Sequence, residues 1–113
     1  MELITEGLAP AAAEIFAGRS LDYLLRRRAA INAEPALRDR ELRKFSLLSR
    51  ALEQGFRDRG VDDATAELVA EIAVTAFRIA ATRWLDQHGT PDLPTTISQT
   101  LATIKRLTNT PPP

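Results

Sequence analysis

Residues 61–89 form the longest stretch of the chain that has a helix start, a helix stop and no breaker between them. Asp62 or Asp63 can cap the first turn, because a short carboxylate accepts hydrogen bonds from the free backbone N–H groups there. Gly89 marks the stop, since glycine adopts the left-handed conformation that ends many helices at little steric cost. The stretch therefore predicts one helix of about 25 residues, roughly 38 Å long.

This helix is apolar over most of its circumference. A surface helix usually has a single apolar stripe, so this one needs partners on several sides, which suggests a second chain. A membrane span is the other interpretation, and it is disfavoured because Glu71, Arg78 and Arg83 are costly in a bilayer. The narrow polar stripe comprises Glu71, Thr75, Arg78 and Thr82; the broad apolar side comprises Leu68, Val69, Ile72, Ala73, Ala76, Phe77, Ala80 and Trp84, extended by Val74, Ala81 and Leu85.

Length and composition favour one small globular domain, which we place at residues 1–108. The 113 residues are 44% hydrophobic and 27% charged, a balance typical of a folded chain. The formal net charge is zero, which excludes a bulk attraction to nucleic acid or to an anionic membrane. The lack of cysteine excludes a disulfide framework and a thiolate metal site. Glu2 and Glu6 follow Met1 where a signal peptide has a basic segment and an apolar run, so we expect a cytoplasmic protein.

The first sixty residues predict three helical pieces. The first spans about residues 11–17, the second 19–34 with Ser20 as its N-cap, and the third 35–60 with Pro35 at its first position. Apolar residues recur every three or four positions, as in amphipathic helices. These positions are Ala12, Ile15 and Phe16, then Leu21, Leu24, Leu25 and Ile31 with Tyr23 beside them, then Leu42, Phe45, Leu48, Leu52 and Phe56.

A last helix is predicted over residues 93–108, with Asp92 as its cap and residues 109–113 as a disordered proline-rich tail. Its apolar residues form a narrow seam, as expected of a helix that docks on one neighbour or on a symmetry mate. They are Leu93, Ile97, Leu101 and Ile104, with Leu107 at the edge. No alternating strand pattern occurs in the sequence, so the predicted fold class is all-α.

Arg26, Arg27 and Arg28 form a basic triplet in the helix over 19–34. A phosphate-contacting patch is one interpretation. We favour the other, a solvated helix face, because three consecutive residues spread over about 200° of a helix and cannot form one compact patch. In that case Asp22 pairs with Arg26 one turn away.

No residue pattern predicts a catalytic or metal site. The one histidine, His88, lies at a predicted helix C-terminus and has no cysteine or second histidine as a co-ligand. Asp62 and Asp63 are adjacent carboxylates, but at a helix start such a pair caps the helix. The five glycines are isolated, so a phosphate-binding loop is not indicated. We therefore predict a protein that is not an enzyme, has no cofactor and acts through surfaces and cavities.

The aromatic side chains of the predicted apolar faces allow two interpretations. They can form a packed core. They can also line a ligand pocket, because cavities in helical proteins form between helices and are mostly apolar. The residues concerned are Phe16, Tyr23, Phe45, Phe56, Phe77 and Trp84.

Four stretches within residues 20–108, taken in their order and spacing, resemble the C-terminal regulatory domain of tetracycline-repressor-like (TetR) transcription factors. Members of that family begin with a helix-turn-helix domain, whose Gly-Val-Ser turn the sequence lacks. We therefore expect a fragment or, as the alternative, a stand-alone relative that does not bind DNA. The four stretches are Pro35-Ala36-Leu37-Arg38 at the start of a long helix, Arg57-Asp58-Arg59-Gly60 at a junction, Ala76-Phe77-Arg78-Ile79-Ala80 with Arg83-Trp84-Leu85 in a dimerisation helix, and Asp92-Leu93 through Leu101 and Leu107 in a final helix.

The resemblance implies an antiparallel bundle of four to five helices. It also implies a homodimer in which the last two helices of each subunit form a four-helix interface, and a small hydrophobic effector bound between helices. DNA is then contacted only through the missing helix-turn-helix domain. The implied pocket residues are Tyr23, Phe45, Leu48 and Phe77, and the implied dimer-interface residues are Ala81, Trp84, Leu85, Ile97, Leu101 and Ile104. A helical dimerisation or scaffold module with no ligand is the alternative function, and a small enzyme using a bundle cavity is a third, disfavoured one.

Overall fold

The computed structural model describes residues 19–109, which form four helices and contain no strand. The all-α prediction is thereby confirmed for this part of the chain. The helices are α1 (Leu21–Ala33), α2 (Pro35–Asp58), α3 (Asp63–Asp86) and α4 (Leu93–Asn109). The helix expected over 11–17 and the tail residues 110–113 lie outside the described residues, and Asn109, expected in the tail, is the last residue of α4.

Three helices begin at the side-chain caps that the sequence predicts. Ser20, Asp62 and Asp92 each accept a hydrogen bond from the backbone amide three residues later, and of the two candidates at the start of α3 it is Asp62 that caps. Hydrogen bonds from Thr65 and Thr95 hold the pKa of Asp62 and Asp92 below the usual value. The distances are 3.1 Å from the amide of Tyr23 to Ser20 Oγ, 3.1 Å from that of Thr65 to Asp62 Oδ2, and 2.9 Å from that of Thr95 to Asp92 Oδ1.

The predicted stop of the long helix is also confirmed. Gly89 has φ +80°, and its amide donates to the carbonyl of Trp84 at 2.9 Å. This left-handed conformation lets the chain leave α3 and turn towards α4. His88 precedes it with φ +56°, a conformation that non-glycine residues seldom adopt.

Helix α3 packs against α4 through small residues. Ala73, Ala76 and Ala80 are almost completely buried, and they allow the facing helix to approach closely. Larger side chains from α4 fill the space above them, so the seam is apolar and filled on both sides. The α4 residues in this core are Leu93, Ile97 and Leu101, and the half-buried side chains packed against it are Phe45, Leu52, Val69, Ile72, Trp84 and Ile104.

Helix α2 packs on α3 through a second apolar cluster and one buried polar contact. Phe56, near the end of α2, packs with Ala66 and Ala70 of the first turns of α3. Ser49 is buried between the two helices, and its hydroxyl donates to Glu71 Oε1 at 2.8 Å. Because that hydroxyl has a hydrogen-bond partner, its burial is not costly.

Two residues expected at a dimer interface lie in the core of a single chain. Ile97 and Leu101 are each 4% exposed, because the seam of α4 docks on α3 of the same molecule. The apolar surface left over by α3 and α4 lies elsewhere, on Leu68 (62% exposed), Ile79 and Leu107 (73% exposed). A helical period identifies an apolar face but not the partner that covers it, and here the nearer partner is intramolecular.

Candidate ligand cavity

A cavity of about 760 Å³ lies between α1, α2 and α3. Its lining combines apolar side chains from all three helices with charged and polar ones. A volume of this size is within the range of small-molecule sites, roughly 300–1,000 Å³. The apolar lining consists of Leu24, Ile31, Phe45, Leu48, Phe77, Ala81 and Leu85, and the polar lining of Arg19, Arg27, Arg28, Asn32, Glu41, Lys44, Arg78, Thr82 and Asp86.

Three of the four residues predicted for a pocket line this cavity, namely Phe45, Leu48 and Phe77. The fourth, Tyr23, is 45% exposed and does not line it. The guanidinium carbon of Arg19 lies 5.7 Å from the centre of the Tyr23 ring, within the range of a cation–π contact at the surface. The residue of α1 that is buried at this level is its neighbour Leu24.

The inward face of α1 explains this difference. Leu24, Arg27, Arg28 and Ile31 all line the cavity, and their spacing of three, four and seven residues is that of one helix face. The sequence therefore contained a signal for the lining, but two of the four positions are arginines. A search for apolar positions alone misses them.

Two members of the basic triplet hold α1 to its neighbours, which corrects the expectation of a plain solvated face. Arg27 makes a two-pronged hydrogen bond to Glu41 of α2, with both N···O distances 2.9 Å. Only Arg26 behaves as predicted, in an exposed pair with Asp22 at 3.2 Å. Charge-assisted pairs of the two-pronged kind are strong and directional, so Arg27 fixes the edge of the cavity between α1 and α2.

The same pair shifts the pKa of both partners. The hydrogen bond from Arg27 lowers the pKa of Glu41 below its usual value of 4.5, and the bond to Glu41 raises the pKa of Arg27. Lys44 Nζ lies 3.8 Å from the same carboxylate and favours its ionised form further. Glu41 is therefore an anion at neutral pH and has no proton to donate to a bound molecule.

Arg28 closes the other edge of the cavity, between α1 and α3. Its Nη1 atom lies 2.5 Å from Asp86 Oδ1 and 3.4 Å from the carbonyl oxygen of Thr82. Both contacts reach the last turns of α3, where a cation is favoured by the helix dipole.

Two cations of the lining have no carboxylate partner within residues 19–109: Arg19, which lies over the Tyr23 ring, and Arg78. Arg78 projects from the middle of α3, one turn before Ala81 and Thr82, and its guanidinium makes no ion pair or hydrogen bond within residues 19–109. It therefore differs from Arg27 and Arg28, whose donors are already engaged by carboxylates.

The residues predicted at the dimer interface are distributed over three environments. Ala81 and Leu85 line the cavity. Trp84 and Ile104 are half-buried against the α3–α4 core, whereas Ile97 and Leu101 are inside it. None of the six is among the large apolar side chains that are most exposed.

The described residues contain no cluster of three or more His, Asp or Glu side chains that could hold a metal ion. Within residues 19–109, every helix is too short or too polar to cross a bilayer. The two carboxylates of the cavity, Glu41 and Asp86, are each paired with an arginine. The cavity as built can bind and orient a molecule through apolar contact and positive charge.

The sequence matches no protein-family model and no curated protein.

Proposed function

We propose that the chain is the ligand-binding and dimerisation domain of a TetR-like bacterial transcriptional regulator, and not an enzyme. The observation that carries the proposal is the cavity of about 760 Å³ between α1, α2 and α3, with Phe45 and Phe77 in its apolar lining. The order of the helices agrees with the sequence resemblance to the regulatory domain of that family. DNA contact belongs to a helix-turn-helix unit joined to this domain.

The effector acts in this proposal by binding one arrangement of α1 better than another. Only such a difference in affinity can shift the equilibrium between two states of the domain. Helix α1 is suited to this movement, because its inward face borders the cavity between the ion pairs Arg27–Glu41 and Arg28–Asp86. A molecule that enters between these pairs changes the position of α1 more easily than that of α4, which is packed on the alanine seam.

Dimerisation uses the apolar surface that the single chain leaves open. Leu68 and Ile79 lie eleven residues apart on one face of α3, and Leu107 lies near the end of α4. An isologous contact of this face with its copy buries all three side chains in a cytoplasmic homodimer. The last two helices remain the proposed interface. Leu68, Ile79 and Leu107 take the place of Ile97 and Leu101 as its contact residues.

Thermal unfolding in the presence of a library of small organic compounds tests the ligand-binding part. A ligand that binds only the folded state at one hundred times its Kd stabilises it by about 2.7 kcal/mol. Ala81→Phe places a ring in the cavity and is expected to abolish the shift. The matched control is Ala51→Phe on the exposed side of α2, which should leave the shift unchanged.

Two outcomes contradict the proposal. If no compound raises the melting temperature, the scaffold alternative without a ligand is favoured. If the shift survives Ala81→Phe as well as Ala51→Phe, the compound binds outside the cavity.

A further inference from the structure

We propose that the ligand of this cavity is an amphipathic organic anion, with an apolar chain on the lining and a carboxylate at the charged edge. The inference rests on the proposed ligand-binding function and adds the chemical class of the ligand. A purely hydrophobic effector, as expected from the sequence, leaves the charges of the cavity unused.

The charges of the lining are unbalanced. Within residues 19–109, it carries five cationic side chains and two anionic ones, a surplus of three positive charges at neutral pH. Residues 19–109 carry 15 basic and 12 acidic side chains, and outside the lining the two balance at ten each. Over this part of the chain, the surplus is therefore local to the cavity. Beside an apolar wall such a field attracts anions more strongly than in open water, because the local dielectric constant is lower. The five cations are Arg19, Arg27, Arg28, Lys44 and Arg78, and the two anions are Glu41 and Asp86.

The five cations are not equally engaged. Arg27 and Arg28 have their donors on Glu41 and Asp86, and Lys44 shares Glu41 at 3.8 Å. Arg19 lies over the Tyr23 ring just before α1, whereas Arg78 has no ion pair within residues 19–109 and lines the cavity beside Phe77. A planar guanidinium with its donors available binds a carboxylate through two parallel hydrogen bonds. Arg78 is therefore the residue that we assign to the head group, with Lys44 as a second positive charge.

Most of the uncharged lining is apolar. Leu24 and Ile31 from α1, Leu48 from α2, and Phe77 and Leu85 from α3 give the cavity a hydrocarbon surface beside its charges. Burial of an alkyl chain there is favourable by the hydrophobic effect, while the head group stays near the charged side chains. The lining thus offers both kinds of contact that an amphipathic molecule makes.

Three eight-carbon probes separate charge from hydrophobicity: octanoate, 1-octanol and octylammonium, each below its aggregation concentration. Calorimetric titration of the full chain at neutral pH is expected to give octanoate an affinity at least about tenfold above that of 1-octanol, with octylammonium weakest. The affinity for octanoate should fall as salt is added, whereas that for 1-octanol should not.

Two variants assign the head-group site. Arg78→Gln is expected to reduce octanoate affinity about tenfold and to leave 1-octanol binding unchanged, because only the ion pair is removed. Lys44→Gln should act in the same direction with a smaller effect. The control is Arg50→Gln, an exposed arginine of α2 outside the cavity lining, which should change neither affinity.

Equal binding of octanoate and 1-octanol, or preferred binding of octylammonium, overturns the inference and leaves the proposed ligand-binding function intact. Octanoate binding that is insensitive to both Arg78→Gln and Lys44→Gln also overturns it. If none of the probes binds and no compound in the library raises the melting temperature, the proposed function fails together with the inference.

Discussion

Helix α3 has two seams that differ in how they are filled. Against α4, the alanines at positions 73, 76 and 80 face leucine and isoleucine side chains, and the space is closed. Against α1, the same helix leaves a cavity of about 760 Å³ that is bounded by arginine ion pairs. One helix therefore takes part in a rigid core on one side and in an open site on the other.

The difference follows from the residues that face α3. Helix α4 presents only apolar or small polar side chains to the seam, and these can be packed to the density of a protein interior. Helix α1 presents Arg27 and Arg28 on its inward face, and a charged side chain must reach a partner or water. Both arginines extend to carboxylates at the edges of the cavity, so the space between these pairs is not filled from α1.

Truncation of the closed seam is expected to have the largest effect on stability. Leu101→Ala removes a buried side chain from a packed environment and should lower the free energy of unfolding by about 2–5 kcal/mol. Leu48→Ala on the cavity wall should cost roughly half as much, because its environment is already incompletely packed. Urea unfolding measures both values, and equal losses would show that the two seams are packed alike.

Enlargement of side chains is also expected to destabilise the closed seam more than the cavity wall. Ala76→Leu inserts three carbons into the closed seam and should destabilise the protein by about 1–3 kcal/mol. Ala81→Leu, five residues later, extends into the cavity and should cost less than about 0.5 kcal/mol. A destabilisation of Ala81→Leu as large as that of Ala76→Leu would contradict an open cavity at this position.

The ion pair at the edge of the cavity predicts a small dependence of stability on pH. Because the pKa of Glu41 is lower in the folded chain than its ordinary value of 4.5, the pair stabilises the fold above that value and loses this contribution as the pH falls through the folded pKa. The loss should stay below about 1 kcal/mol, since the pair is partly solvated. Glu41→Gln should remove this part of the acid sensitivity. If the variant and the unsubstituted chain lose stability equally as the pH falls below the ordinary pKa of 4.5, the assignment is contradicted.

Substitutions on the exposed apolar side chains should have the smallest effect on the stability of the single chain. Leu68→Arg with Ile79→Arg is expected to change it by less than about 0.5 kcal/mol and to convert dimers into monomers. Sedimentation measures this conversion. The control is Leu47→Arg, at an exposed position of α2. A monomeric unsubstituted chain at tens of micromolar, or a double variant that remains dimeric, would contradict the assigned interface.

The individual helices could be predicted from the sequence because their signals are local. Ser20, Asp62 and Asp92 cap the backbone three residues away, and Gly89 adopts the conformation that ends α3. Such interactions involve only neighbours along the chain, so they act wherever the helix is placed in the fold. Three of the four pocket predictions also lie on the cavity, because Phe45, Leu48 and Phe77 are on the strongly apolar faces of long helices.

The partner of each helix face was decided only by the tertiary structure. The period of α4 identified Ile97 and Leu101 as one apolar side, and the fold buries that side within the chain. The sequence placed Tyr23 beside the apolar side of α1, yet the cavity is lined by its neighbour Leu24 and by two arginines of the same helix. The physical reason is that a helical period fixes the angles between side chains of one helix, whereas the rotation of that helix against its neighbours depends on residues far away in the chain.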